Sequence, residues 1–189
     1  MAIEVTVPAT IANLGPGFDT LGMAVDVYDR FRMALAERGT VSFTGEGAAG
    51  LDREATPLVV RATEAVARRV GRSAAFATQA YLSVPVARGL GSSAASIVGG
   101  LVGANHLLGN PLEGAVLLEL AADLEGHPDN VAAALLGGVV VVLPQFPHRV
   151  QQGVGRRDGE GLRGGIGDCS GQLGADGAVA KLPPDVLDE

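Results

Sequence analysis

The sequence predicts an α+β fold in which helices pack on one face of a sheet. The strand-like alternation of apolar and polar residues is concentrated early in the chain, and helix-like patterns follow from the middle. In addition, 47% of the 189 residues are hydrophobic, which suffices for one folded core but is tight for two complete domains.

The first three predicted elements are strands. Residues 3–8 alternate β-branched and polar side chains, and Pro8 is expected to end this strand. Residues 21–35 carry apolar side chains at most alternate positions, which predicts one long strand or a bent pair. Residues 41–47 repeat the alternation before glycines that indicate a turn.

Helices and one further strand are predicted in the middle of the chain. A helix from Pro57 to about Val70 has apolar residues on one side and ends at Gly71. Residues 76–85 alternate as a strand, and a glycine-rich loop then leads into an apolar helix over about 93–108. The order strand, glycine loop and helix is typical of an anion-binding site.

Three more elements and a glycine-rich tail complete the predicted organisation. Pro111 is expected to open a helix, and a shorter helix runs from near Pro128 to Gly137. Residues 139–143 predict a buried strand. From Gln145 onward the periodicity fades among irregularly spaced glycines, so we expect a poorly packed segment there.

Charge and cysteine content exclude several classes of function. Fourteen basic and twenty-one acidic residues give a net charge of −7, and no Lys/Arg cluster forms a surface for nucleic acid. No apolar run approaches the roughly 18 to 20 residues that span a bilayer, and no signal peptide pattern precedes the first strand, so the protein is predicted to be cytoplasmic, away from membranes. The single cysteine, Cys169, cannot form an internal disulfide and is interpreted as incidental.

The strongest motif is PVARGLGSSAAS at residues 85–96. Gly89 and Gly91 permit positive φ and close backbone approach, and Ser92 and Ser93 stand where a helix begins. Free N–H groups at a helix start favour an anion, so a polyphosphate is the expected ligand. The loop is neither a Walker A sequence nor a G-x-G-x-x-G sequence. The alternative to a polyphosphate site is a Gly/Ser-rich helix start that binds no ligand.

Two other segments carry polar side chains on tight loops. Asn13 and Asp19 flank a Gly-Pro-Gly turn and are suited to a small polar ligand, or else they cap local amides. Glu119 lies one helix turn before Asp123, so the two carboxylates are on one face of the predicted helix. A carboxylate behind a polar loop is suited to bind Mg²⁺ when phosphates supply other ligands of the ion. The alternative for these acidic residues, including Glu113, is a solvated helix face.

Three blocks together resemble the homoserine kinases of the GHMP small-molecule kinase superfamily. They are PATIANLGPGFDTLGMAV, PVARGLGSSAAS and EGHPDNVAAALLGG, in that order. The second block is similar to the superfamily's phosphate loop, whereas the first and third point to homoserine kinases among its members. The resemblance covers about residues 1–144.

This resemblance implies a two-layer GHMP kinase N-terminal domain, a fold shared with a domain of a small-subunit ribosomal protein. It implies ATP and Mg²⁺ as cofactors and ATP-dependent phosphorylation of the side-chain hydroxyl of L-homoserine, giving O-phospho-L-homoserine on the route to threonine. A homodimer is also implied. Other GHMP kinases, acting on a mevalonate-like or sugar alcohol, remain the alternative enzymes.

The resemblance also assigns site residues. Ser93 and Glu119 match metal-binding positions, and Asn13, Asp19 and His127 match homoserine-binding positions. Asp129 and Asn130 match catalytic positions, where catalysis rests on positioning and charge stabilisation and no histidine acts as a general base. The positions that match the ATP-binding loop are Pro85, Val86, Ala87, Arg88, Gly89, Leu90, Gly91, Ser92, Ser93, Ala94 and Ala95.

The resemblance divides the chain into two parts. Residues 1–144 are predicted to form the N-terminal ATP-binding domain, and residues 145–189 a divergent, Gly-rich remnant of a C-terminal domain that is largely missing. Val179 stands where the family has a substrate-binding arginine. An incomplete or disrupted gene copy is one hypothesis for the change in composition after residue 144. The functional alternative to an active kinase is a fragment that binds nucleotide but does not turn it over.

Overall fold

A computed structural model describes residues 1–15, 17–51, 55–142, 150–158, 161–168 and 179–181. The elements follow one another as β1 (Ala2–Leu14), β2 (Gly17–Ala36), β3 (Thr40–Gly45), α1 (Ala48–Leu51), α2 (Leu58–Arg69), β4 (Ala75–Leu82), α3 (Ser92–Leu107), α4 (Gly114–Glu125), α5 (Pro128–Leu136), β5 (Val139–Val142), β6 (Val150–Asp158), β7 (Gly161–Asp168) and β8 (Val179–Lys181).

The long strand β2 organises the sheet. One edge of β2 pairs antiparallel with β1 over nearly its whole length. The other edge pairs with β4 through residues 30–36 and with β5 through residues 21–23. β3 adds to β4 in parallel, and the strand order is β3-β4-β2-β5-β6-β7, with β1 pairing with β2 and β8. Of the two alternatives predicted for residues 21–35, one long strand or a bent pair, the structure shows one long strand.

Pro8 does not end the first strand, contrary to the sequence prediction. β1 continues to Leu14, and its register against β2 shifts between Pro8 and Ala9. On its other edge β1 pairs with β8 from Glu4 to Thr6. A proline is tolerated at such a register shift, because the ladder of hydrogen bonds is irregular there.

The helices cover one face of the sheet, as predicted. Ile3, Val5 and Val7 of β1 are buried and share a face, against which α3 and α5 pack. α2 and α4 pack on α3, which explains why α3 is apolar on all sides. The opposite face leaves Tyr28 and Tyr81 37% exposed. Among the described residues, no helix has the length and apolar character needed to cross a membrane.

Glycine allows α3 to approach α2 closely. A Cβ added at Gly100 would lie 2.6 Å from the Val59 carbonyl oxygen and 2.8 Å from the Ala62 Cβ. We expect Gly100→Ala to destabilise the fold, because overpacking costs about 1–3 kcal/mol and exceeds the helix-propensity gain of about 1 kcal/mol. Gly114→Ala at the start of α4 is the control, since nothing lies within 4 Å of its added Cβ. Equal stability of the two variants in urea unfolding would contradict this packing.

Two element boundaries differ from the sequence prediction. α4 begins at Gly114 and not at Pro111, because the Asn105 side chain bonds both the N–H and the C=O of Leu112 at 3.0 Å and holds that segment outside the helix. β4 ends at Leu82 before the expected Pro85. The remaining predicted helices and strands before residue 143 are confirmed, and the short helix α1 was not predicted.

Residues from Gln145 onward were expected to be poorly packed, which stays a prediction, and the structure describes strands there that were not predicted. β6 pairs antiparallel with β5 and β7, and β8 pairs with β1. Backbone pairing at a sheet edge requires no apolar periodicity, which is why the composition did not reveal these strands. The predicted domain division at residue 144 stays a prediction, and Cys169 lies outside the described residues.

Candidate active site

A cavity of about 500 Å³ lies at the amino end of α3. Its polar lining comes from Asn13, Glu125 and Asn130 and from the loop between β4 and α3. Its apolar lining includes Phe43, Leu51, Pro57, Leu58 and Val59. A cavity with both polar and apolar lining suits a ligand that has both characters.

The loop between β4 and α3 has the conformation of an anion cradle. Ala87, Gly89 and Gly91 have φ of +57°, +72° and +67°. No side chain caps α3, and the first helical bond runs from Ala95 N–H to Gly91 C=O at 2.9 Å. The preceding N–H groups of the first turn therefore have no helical acceptor and face the loop, which is the arrangement that the sequence predicted for a phosphate site.

Asp29 anchors the start of this loop from β2. Its Oδ1 accepts the N–H groups of Ser83 and Val84 at 2.8 and 2.9 Å, which is why β4 ends there. The Asp29 carboxylate is buried, and its Oδ2 has no hydrogen-bond partner in the described part of the chain. Burial raises the pKa of the Asp29 carboxyl above its ordinary value, while the two backbone hydrogen bonds oppose the rise.

The raised pKa of Asp29 predicts a pH-dependent stability. Between the ordinary and the raised pKa the folded state binds more protons than the unfolded state, so stability falls as pH increases across this window. The carboxamide introduced by Asp29→Asn keeps a carbonyl acceptor for both N–H groups but does not titrate. We expect the stability of Asp29→Asn relative to the parent to increase with pH across the window. Urea unfolding at pH values on both sides tests this, and a difference independent of pH would contradict it.

The two predicted metal-binding residues, Ser93 and Glu119, have different partners in the structure, and the metal-binding role of Glu119 stays a prediction. Ser93 Oγ donates to Glu125 Oε1 at 2.5 Å, and both residues line the cavity. Glu119 Oε2 lies 3.9 Å from Arg69 Nη2, and the Arg69 and Glu119 side chains are 49% and 38% exposed.

The predicted substrate and catalytic residues are brought together only in part. Asn13 and Asn130 line the cavity, whereas Asp19, His127 and Asp129 do not. Asn13 and Asp19 are exposed, and their backbone φ angles are +59° and +54°. The Asp19 N–H donates to Asn13 Oδ1 at 3.4 Å, which is the local amide capping given above as the alternative to ligand binding. Asp129 is buried, and its Oδ1 accepts the backbone N–H of Asn130 at 2.7 Å. His127 is exposed before α5.

Comparison with known proteins identifies the domain. Residues 57–138 match the sequence model of the family described as GHMP kinases N terminal domain. The chain contains a GHMP kinase N-terminal domain. The matched segment includes α2, β4, the phosphate loop and the helices α3 to α5, which together form most of the cavity.

Relatives of this GHMP kinase domain confirm the resemblance to homoserine kinases. The homoserine kinase of Moorella thermoacetica is 51% identical over 137 residues, covering 72% of this chain and 46% of that protein. The homoserine kinase of Thermosynechococcus vestitus is 52% identical over 139 residues, covering 73% and 46%. The crystal structure of homoserine kinase from Cytophaga hutchinsonii has a TM-score of 0.67 at 35% identity, covering 79% of this chain and 50% of that one. The chain spans about half the length of these relatives.

The cavity of the GHMP kinase domain offers few protein ligands for a metal ion. Among the described residues, no group of three His, Cys, Asp or Glu side chains is placed to hold one. The hydroxyl of Ser93 and the carboxylate of Glu125 fit Mg²⁺ that takes its other ligands from phosphates and water, since Mg²⁺ beside phosphates uses only one or two carboxylates. Ser93 and Glu125 are therefore adjacent oxygen donors suited to the implied ion, and the predicted role of Glu119 stays a prediction.

Sequence reasoning missed two side chains that shape this site. Glu125 belongs to the EGHPDN block but received no role there, although it lies at the end of α4 beside the loop. Asp29 interrupts the apolar alternation of residues 25–35, and that interruption was the available signal. A charged residue at an inward strand position requires a buried partner, and Ser83 and Val84 supply one.

Proposed function

We propose that this GHMP kinase domain belongs to a homoserine kinase, which transfers the γ-phosphoryl group of ATP to the side-chain hydroxyl of L-homoserine. The observation that carries the proposal is the amino end of α3, which has no side-chain cap among the described residues, at a cavity with both polar and apolar lining. The proteins named homoserine kinase that are 51 and 52% identical to this chain support the choice of acceptor.

The polar and the apolar lining of the cavity suit the two parts of ATP. The triphosphate lies along the loop of residues 85–95, where free N–H groups and the helix dipole stabilise negative charge. The adenine packs against the apolar lining, which includes Phe43 and Leu58. Together these contacts orient the γ-phosphate toward Asn13 and Asn130.

Ser93 and Glu125 hold Mg²⁺ in this proposal, and the bound ion neutralises charge on the phosphates. The Ser93 hydroxyl donates to Glu125, so the two oxygens are adjacent. Residues that are prepositioned in this way lose little conformational freedom when the ligand binds.

L-Homoserine binds beside the loop that follows β1. The Asp19 carboxylate complements the ammonium group, and Asn13 and His127 bind its polar groups. Among the described residues that line the cavity, Arg88 and Glu125 are the only charged ones and there is no histidine. In this proposal catalysis rests on positioning and charge stabilisation, and no histidine acts as a general base. The predicted catalytic role of Asp129 and the predicted homodimer stay predictions.

Nucleotide binding without turnover is the second candidate function. The observation that favours it is that Asn13 alone, of the three predicted homoserine-binding residues, lines the cavity. In this case the chain binds ATP through the phosphate loop but does not hold the acceptor hydroxyl near the γ-phosphate.

Two measurements on the purified protein separate the candidates. Equilibrium titration with a fluorescent ATP analogue measures binding, and a coupled assay measures ADP release with L-homoserine, mevalonate or galactose as acceptor. Binding with homoserine-dependent ADP release supports the kinase. Binding without release for any acceptor supports the second candidate. Release with mevalonate or galactose alone would contradict the assignment to homoserine, and absence of binding would contradict both candidates.

A further inference from the structure

We infer that Thr10 is a positioning residue whose hydroxyl sets the orientation of the Asn130 carboxamide at the cavity wall. The Thr10 hydroxyl donates to Asn130 Oδ1 at 2.8 Å, across 120 positions of sequence. Thr10 is fully buried in β1, so water does not compete for this hydrogen bond. The inference deepens the proposed function and rests on it.

Asn130 has different partners on the two sides of its amide group. Its Oδ1 accepts the Thr10 hydroxyl, and its Nδ2 lies 3.5 Å from Asp129 Oδ1. Rotation of the carboxamide by 180° would bring Asn130 Oδ1 toward the Asp129 oxygen, placing two acceptors together. The observed orientation therefore leaves Nδ2–H as the donor that Asn130 offers to the cavity.

Thr10 also joins this carboxamide to the phosphate loop. Its backbone N–H donates to the Leu90 carbonyl at 3.0 Å, and its side chain leaves no room for a Cβ at Gly91. One buried residue thus contacts both the loop proposed to hold the triphosphate and the start of α5. Through these contacts Thr10 sets the distance between the phosphate loop and the Asn130 donor.

The role of the hydroxyl is separable from that of the backbone. Thr10→Val keeps the shape and the N–H bond to Leu90 but removes the donor to Asn130. Thr10→Ser keeps the donor and removes only a methyl group. We expect Thr10→Val to lower kcat at least tenfold with ATP affinity within about twofold of the parent, and Thr10→Ser to recover most of the loss. A purely structural role would lower stability in both variants and would leave kcat of the folded protein unchanged.

The test combines kinetics with a readout that does not depend on activity. Kinetics give kcat, the KM for homoserine and ATP affinity for the parent, Thr10→Val and Thr10→Ser. The ¹⁵N spectrum follows the side-chain amide of Asn130, assigned through Asn130→Asp. We expect this amide to exchange faster with solvent and to shift in Thr10→Val but not in Thr10→Ser. If Thr10→Val does not fold, Thr10→Cys replaces it, because a thiol is a weak donor.

The outcomes distinguish this inference from the proposed function. A parent without homoserine-dependent turnover contradicts the proposed function, and the Asn130 amide spectrum then decides the positioning role alone. An unchanged amide in the variant that lacks the hydroxyl overturns the inference. Unchanged kcat in that variant, with an active parent, also overturns it.

Discussion

Replacing Gly91 by alanine is expected to abolish detectable nucleotide binding. Gly91 has φ of +67°, and a Cβ at this position would overlap the Thr10 hydroxyl. Thr10 is buried and bonded to Asn130, so it cannot rotate away without breaking that hydrogen bond. The substitution therefore displaces the phosphate loop from β1 at the point where α3 begins. Titration with a fluorescent ATP analogue measures the loss, which we expect to be about a hundredfold or more.

Gly89→Ala is the matched control for this effect. Gly89 has a similar φ of +72°, but nothing lies within 4 Å of its added Cβ. Left-handed backbone strain costs about 1–2 kcal/mol for alanine, and Ala87 already adopts φ of +57° in the same loop. We expect Gly89→Ala to weaken binding by about tenfold only. Similar affinities for the two variants would show that the contact with Thr10 does not decide the loop geometry.

Replacing Glu125 by glutamine is expected to remove most Mg²⁺-dependent nucleotide binding. Glu125 Oε1 already faces the Ser93 hydroxyl, and the charged carboxylate is the stronger ligand for a hard cation. A change at a metal-site residue typically costs about 10–100-fold in metal affinity or activity. The measurement is ATP-analogue affinity as a function of Mg²⁺ concentration, together with ADP release where the parent is active. The parent's Mg²⁺ dependence should be largely absent from Glu125→Gln.

Glu119→Gln provides the opposing control. It removes a surface ion pair with Arg69 at 3.9 Å, an interaction that contributes at most about 1 kcal/mol to stability. We expect its Mg²⁺ dependence to match that of the parent. The reverse pattern, with Glu119→Gln losing the dependence and Glu125→Gln keeping it, would restore the assignment made from sequence resemblance.

The site residues show what local sequence can and cannot predict. The left-handed backbone of the phosphate loop and its place before α3 were predictable, because glycines at 89 and 91 and the helix start at Ser92 are neighbours in sequence. The hydrogen bond between Ser93 and Glu125 was not predicted, because resemblance supplies a position along α4 but not the direction in which that position faces. Asp29 was missed as an anchor because its partners, Ser83 and Val84, are more than fifty residues away.

The sequence by itself determined the α+β class, the positions of most helices and strands, and the place of the glycine loop before α3. These properties follow from short-range periodicity, glycine placement and helix boundaries, which are local. Only the tertiary structure decided that β1 passes through Pro8, that Glu125 and not Glu119 meets Ser93, and that Thr10 lies between Leu90 and Asn130. Those contacts join strands, loops and helices that are distant in sequence, so their geometry depends on the packing of α3 and α5 on the sheet.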